Sequence, residues 1–162
     1  MKIFAFIMLI LFPFASTAGE NDFSVVAAAG AHDTHGELVS VAYTAELPEV
    51  FGLNVLIVEP TIGYFSRSSE IGEQITYFGA VGVGIRYKHK TGLYIKGTAG
   101  PALLSEEDEK LGSMFQFLLG ASVGIQTDNV YGGIVYRHFS NAGLTDRNSG
   151  RDFIGLETGL QF

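Results

Sequence analysis

The chain reads as an all-β protein: one eight-stranded antiparallel β-barrel that spans a membrane once an export leader has been cleaved. Three observations predict this fold. An amino-terminal apolar stretch is too short to cross a bilayer and ends in small residues. The rest of the chain breaks into eight segments of strand length, joined alternately by short turns and longer polar loops. The chain closes on an aromatic residue preceded by alternating apolar positions.

Met1 to Ala18 sets Lys2 ahead of an apolar run from Ile3 to Phe14, with small residues at Ser16 and Ala18. That is the layout of a cleaved secretory signal. The run falls short of the roughly 20 residues that a membrane helix needs, so residues 1–18 are expected to be a signal peptide and 19–162 a single barrel domain. The 162 residues show no internal duplication and suit one domain. The formal net charge is −7, and loss of Lys2 with the leader makes it more acidic, which argues against a nucleic-acid partner. There are no cysteines. An exported chain of this size then lacks disulfides and thiolate metal sites, and a closed barrel in a membrane supplies the stability instead.

The eight segments run approximately over 23–32, 37–46, 51–65, 75–88, 92–104, 113–127, 130–140 and 152–162. Most could cross a bilayer as tilted strands of about 9–11 residues. After the second, fourth and sixth stand the short turn signals Pro48-Glu49, His89-Lys90-Thr91-Gly92 and Thr127-Asp128-Asn129. After the third, fifth and seventh come the longer polar stretches Ser66 to Gln74, Ser105 to Gly112 and Asn141 to Arg151; only the first connection on that side, His32 to Gly36, is short. Short turns on the periplasmic side and long loops outside, with an even strand number, are the outer-membrane arrangement. The glycine pairs Gly82/Gly84 and Gly97/Gly100 read as kinks and close packing in a narrow barrel, because no helix follows that would make a phosphate loop. Tyr64, Tyr77, Tyr87, Tyr94 and Tyr131 fall near strand ends, where interfacial girdles are expected.

Period-two alternation assigns the faces. In the last segment Asp152, Ile154, Leu156, Thr158, Leu160 and Phe162 share a side that is mostly apolar, leaving Phe153, Gly155, Glu157, Gly159 and Gln161 opposite. In the seventh, Gly132, Ile134, Tyr136, His138 and Ser140 share a side and Arg137 lies on the other. A charge on the lipid face is costly, so Arg137 belongs inside. His138 and Ser140 then face outward at the end of the strand that enters a long outer loop, about 7 Å apart along the strand.

These residues supply acyl-transfer chemistry. His138 is suited to take the Ser140 proton during attack on an ester carbonyl and to return it to the leaving hydroxyl. Asp152 has outward parity and starts an antiparallel neighbour beyond the same loop, so it can orient the imidazole; Glu157 has the wrong parity and lies roughly 16 Å deeper. Oxyanion donors are available from the Gly143 N–H and the Asn141 and Asn148 side-chain amides. Water would release the acyl-enzyme, so no metal or organic cofactor is required. Taken alone, a His-x-Ser on a strand is ordinarily a polar pair at a barrel rim.

The run His138-Phe139-Ser140-Asn141-Ala142-Gly143-Leu144, the downstream Asn148-Ser149-Gly150 and the acid at position 152 resemble the PagL family of lipid A 3-O-deacylases, outer-membrane proteins also grouped as acyloxyacyl-hydrolase-like. The resemblance is sharp over about 25 residues at the carboxyl end and extends to the rest through barrel architecture and length. It implies a serine esterase with His138, Ser140 and Asp152 as a triad, removing the 3-position acyl chain of lipid A in the outer leaflet of the bacterial outer membrane. Some members carry Glu at the acid position, so Asp152 is one methylene shorter. The resemblance also favours Asn148 over Asn141 as an oxyanion donor.

Other features carry blander readings. His32, His35 and His89 fall in predicted loops, and a metal site built from His32, Asp33 and His35 would draw its ligands from one flexible loop; no metal is expected. The stretch Ser105-Glu106-Glu107-Asp108-Glu109-Lys110 reads as a solvated acidic loop rather than a cation site between lipopolysaccharide phosphates. Expected partners are lipopolysaccharide and outer-membrane lipids; a homodimer is allowed by the sequence and unsupported by it. Two alternatives stay open: an outer-leaflet phospholipase using the same residues, since every ester carbonyl presents similar chemistry, and a non-enzymatic small barrel whose outer loops bind a partner.

Overall fold

The computed structural model of the chain describes residues 20–48, 55–69 and 72–162; the expected leader lies outside them. The eight strands are β1 (Asn21–Ala31), β2 (Glu37–Glu46), β3 (Leu56–Ser69), β4 (Gly72–Lys88), β5 (Leu93–Leu104), β6 (Phe115–Gln126), β7 (Val130–Ser140) and β8 (Arg151–Gln161). They pair antiparallel in chain order and close into a barrel when β8 returns to β1, with Ala27 opposite Leu156. Closure pairs the first strand with the last, so the barrel has no edge strand to present to a medium that cannot hydrogen-bond. Asn21 and Phe162 exchange backbone hydrogen bonds of 3.2 and 2.9 Å and fasten the start of β1 to the residue that follows β8.

The alternation read from the sequence is the alternation of the walls. On β8, Ile154, Leu156 and Leu160 project outward and are exposed, as is Phe162 just after it, while Phe153, Glu157 and Gln161 are buried inside. On β7, Ile134 faces out and Tyr131, Val135, Arg137 and Phe139 face in. Outward-facing Val25, Val41, Ile62, Val83, Ile95 and Val123 continue the apolar belt around the barrel, a surface suited to hydrocarbon and not to water.

The interior divides into two halves. Toward the chain termini it is ionic: Lys96 lies between Glu59 at 2.7 Å and Glu157 at 2.5 Å, Arg137 reaches Glu59 at 3.0 Å, and Arg86 meets Asp22 at 2.6 Å. Gly120 makes room for this network, since a Cβ there would stand 2.2 Å from Arg137 Nη1. Toward the loop end it is aromatic: Phe65, Phe78, Phe139 and Phe153 pack with centroids 5.0–6.4 Å apart. Leu111, from the β5–β6 connection, is fully buried with this cluster and plugs that end.

Three sequence expectations need correction. The stretch 66–74 is mostly ladder, because β3 and β4 stay paired from Ser66–Ile75 out to Ser69–Gly72. Backbone pairing needs no apolar face, so the polar composition marks where the hairpin leaves the apolar belt, not where the strands stop. Tyr94 and Tyr131 are not girdle residues: they are 1% and 2% exposed and point inward, where Tyr131 donates to Asp22 at 2.5 Å. Asp108, read as part of a solvated acidic loop, is fully buried. Its Oδ2 accepts from Arg67 Nη1 at 3.1 Å and from Arg151 Nε at 2.8 Å. The segment drawn from 51 begins, within the described residues, at Leu56; positions 51–54 lie outside them.

Candidate active site

The register of β7 against β8 sets the site. His138 lies directly opposite Asp152, one rung from the end of the ladder. Directly opposed residues hold their Cβ atoms about 4.5–5.5 Å apart, close enough for an imidazole and a short carboxylate to meet. They do: His138 Nδ1 is 2.7 Å from Asp152 Oδ1, with the two side chains 29% and 21% exposed. A carboxylate can only accept, so Nδ1 carries the proton of this contact, and Nε2 has no hydrogen-bond partner among the described residues. Ser140 follows two residues later on the same face, half-buried, at the last position of β7. No hydrogen bond joins it to His138 among the described residues; the shared face brings the hydroxyl to the imidazole's side of the wall.

Asp152 is held from three directions. Its Oδ1 also accepts a hydrogen bond from the Tyr136 hydroxyl. Its backbone N–H donates to Thr34 Oγ1 at 2.9 Å, from the buried Thr34 in the β1–β2 turn. Arg151, the residue before it, points inward and grips Asp108 Oδ2 through both Nε and Nη2 at 2.8 Å, so a buried ion pair anchors the start of β8. Tyr136 lies nearly parallel to the imidazole, at 16° and 6.4 Å between centroids. Gly150 packs against the imidazole as well: its φ is +72°, and a Cβ there would stand 2.8 Å from His138 Cε1.

The β7–β8 loop is knotted by Asn141, which is fully buried. Its Nδ2 donates to Leu111 O at 2.6 Å, Thr145 Oγ1 at 2.5 Å and Arg147 O at 2.7 Å, and its Oδ1 accepts the Gly143 N–H at 2.8 Å. Ala142 and Gly143 both take left-handed backbone, with φ of +54° and +80°. Of the three oxyanion candidates, Asn141 and Gly143 therefore have their donors committed within the loop. Asn148 is exposed; its Oδ1 accepts the Asn141 N–H at 2.8 Å, and its Nδ2 has no partner among the described residues.

Glu157 is 1% exposed inside the barrel and bonded to Lys96, so it lies on the inner face of the wall whose outer face carries His138. Among the described residues no group of three or more His, Asp or Glu side chains is arranged to hold a metal ion. Sequence reasoning missed Tyr136, Thr34, Gly150 and the Asp108–Arg151 anchor. Tyr136 was within reach, since period-two spacing puts it on the face of His138 and Ser140. Thr34 was not, because 118 residues separate it from Asp152.

Comparison with known proteins adds the chemistry to this geometry. The family model described as "Lipid A 3-O-deacylase (PagL)" matches residues 22–161. The chain belongs to the lipid A 3-O-deacylase (PagL) family. Membership implies a hydrolase that deacylates lipid A. No curated protein matches the chain. Among solved structures, the crystal structure of the outer-membrane enzyme PagL aligns at 20% identity and a TM-score of 0.64, over 85% of this chain and 97% of that one. The Yersinia pestis outer-membrane protein Ail, in a phospholipid nanodisc, aligns at 14% identity and 0.56, over 89% and 99%. A de novo designed transmembrane β-barrel aligns at 14% and 0.56, over 91% and 98%. These likenesses show the fold: an enzyme, an attachment invasion locus protein and a designed barrel share it, so the fold alone does not select the activity.

Proposed function

We propose that this PagL-family chain is a serine esterase of the bacterial outer membrane that removes the ester-linked acyl chain at the 3-position of lipid A. Ser140 is the nucleophile, His138 the general base and acid, and Asp152 the orienting carboxylate. The observation that carries the reading is the 2.7 Å contact between His138 Nδ1 and Asp152 Oδ1 at directly opposed positions, with Ser140 next on the same outward face.

Asp152 holds Nδ1–H and leaves Nε2 toward the hydroxyl. As Ser140 Oγ bonds to the acyl carbonyl carbon, Nε2 takes its proton, and the charged imidazole is stabilised by the carboxylate. The tetrahedral oxyanion accepts from Asn148 Nδ2, the candidate donor not engaged by the loop. Breaking the carbon–oxygen bond to the sugar delivers the proton from Nε2 to the departing oxygen and leaves the acyl group on Ser140. Water then attacks the acyl carbon and gives a proton to Nε2; the bond to Ser140 Oγ breaks, Nε2 returns the proton to Oγ, and the fatty acid leaves with the serine restored.

The site lies on the outward wall at the loop end, half-exposed beside the apolar belt. That position suits a substrate whose acyl chains stay in the membrane while its sugar lies at the interface, with the loop end facing out of the cell. In the same reading, residues 1–18 are an export leader and 19–162 the mature barrel. The test is mass spectrometry of lipid A from cells making the wild-type chain or Ser140→Ala, with heat-modifiable gel migration confirming that both fold. Loss of one hydroxyacyl mass with wild type alone, located to the 3-position by fragmentation, is expected. Unaltered lipid A from a folded, surface-exposed wild type overturns the reading.

A further inference from the structure

We propose that Tyr136 is a positioning residue for the acid of the site: its hydroxyl holds the Asp152 carboxylate in the one orientation that serves His138. The inference rests on the serine-esterase reading above and adds to it a part whose work is done through Asp152, not on the substrate.

The geometry begins with the register. Tyr136 lies opposite Ile154 and His138 opposite Asp152, so the tyrosine is the diagonal neighbour of the acid. Diagonal positions stand about 7–8 Å apart, a span that a phenol crosses and a short side chain does not. Its hydroxyl and His138 Nδ1 both donate to the same oxygen, Asp152 Oδ1. A carboxyl on a single methylene, at the first rungs of a strand, can rotate away from its cross-strand partner toward the loop. Two donors converging on one oxygen from one side resist that rotation, and the Thr34 bond to the Asp152 N–H fixes the backbone beneath it.

The rest of Tyr136 has a separate job. Tyr136 is 36% exposed on the outward wall and its ring lies nearly parallel to the imidazole, so the ring stands between the polar pair and the apolar belt while the hydroxyl stays within the site. A polar tip on an apolar body fits a boundary of that kind. Ring and hydroxyl can therefore be removed one at a time.

The experiment compares Tyr136→Phe, which keeps the ring, with Tyr136→Leu, which removes both, using purified, refolded barrels and lipid A in mixed micelles. Tyr136→Phe is expected to lower kcat about tenfold with KM unchanged, the pattern of a group that helps only in the transition state. Tyr136→Leu is expected to lose at least as much. In an Asp152→Ala background, Tyr136→Phe should have no further effect, because the group it acts through is gone. Full kcat in Tyr136→Phe overturns the proposal, as does the same fold-loss with and without Asp152, which would mark a purely structural contribution. Ser140→Ala measured alongside separates the two readings. Activity surviving in Ser140→Ala removes the esterase itself, whereas activity lost there but intact in Tyr136→Phe removes only the role of the tyrosine.

Discussion

Arg137 and His138 are consecutive residues on one strand, and each stands beside a carboxylate: Arg137 at 3.0 Å from Glu59, His138 at 2.7 Å from Asp152. Parity sends them to opposite sides of the wall. Arg137 is 2% exposed in a closed network with Glu59, Lys96 and Glu157. There each charge stands beside an opposite one, shut inside the barrel. His138 is part-exposed, has one ring nitrogen engaged and the other free, and shares its face with a hydroxyl. A buried ion pair of the first kind contributes to one folded arrangement and is destructive to break. A part-exposed pair of the second kind contributes little to folding and leaves chemistry available. On the proposed function, a basic side chain beside a carboxylate serves stability on one face and reactivity on the other, separated by a single residue of register.

The sharpest way to break that contrast is to remove one member from each side. His138→Ala should lower lipid A deacylation by about 10³-fold or more, as loss of a triad base does, while the urea midpoint of unfolding stays near that of wild type. Glu59→Ala should do the reverse. It leaves Lys96 and Arg137 buried without their shared carboxylate, a change that costs about 3–5 kcal/mol. A large fall in the urea midpoint, with near-normal activity per folded molecule, is the expected result. If Glu59→Ala instead lost its activity while fully folded, the division between the two faces would fail.

How far the sequence carried this picture depended on the range of the interaction. Period-two alternation is local, so the strand faces, the inward Arg137 and Glu157, and the shared side of His138 and Ser140 were all legible. The pairing of His138 with Asp152 also followed, since one loop joins their strands. Composition misled where polarity was taken for loop: Ser66 to Gln74 is mostly paired strand, and Asp108 is buried between Arg67 and Arg151. Tyr94 and Tyr131 were assigned by nearness to strand ends, although their parity already placed them with inward residues. Contacts closed by the barrel itself, such as Thr34 with Asp152, leave no trace in local pattern.

Gly150 tests the reactive face from the backbone side. Its φ of +72° lies where a side chain is strained, and a Cβ would press to 2.8 Å on His138 Cε1. Gly150→Ala combines about 1–2 kcal/mol of left-handed strain with a displaced imidazole. The expected outcome is a modest fall in the urea midpoint beside a larger fall in kcat, roughly tenfold, since small misplacements of a catalytic group are expensive. Equal effects on both would show that the ring tolerates the shift.

Thr34 offers the smallest and most discriminating change. Its hydroxyl accepts the Asp152 N–H at 2.9 Å from the far side of the closure, where β8 meets β1. Thr34→Val keeps the shape and removes the acceptor, leaving a part-buried N–H unsatisfied at a cost of about 1 kcal/mol. Because the group touches the acid's backbone rather than its carboxylate, the expected reduction in kcat is only about two- to fivefold, with KM unchanged. That loss should disappear in an Asp152→Ala background, as it should for Tyr136→Phe. Thr34 and Tyr136 approach Asp152 from different strands and different atoms, so similar disappearance for both would show that the carboxylate is where the barrel's closure and the reactive face are joined. A Thr34→Val loss that persists without Asp152 would instead assign the turn to fastening β1 against β8 alone.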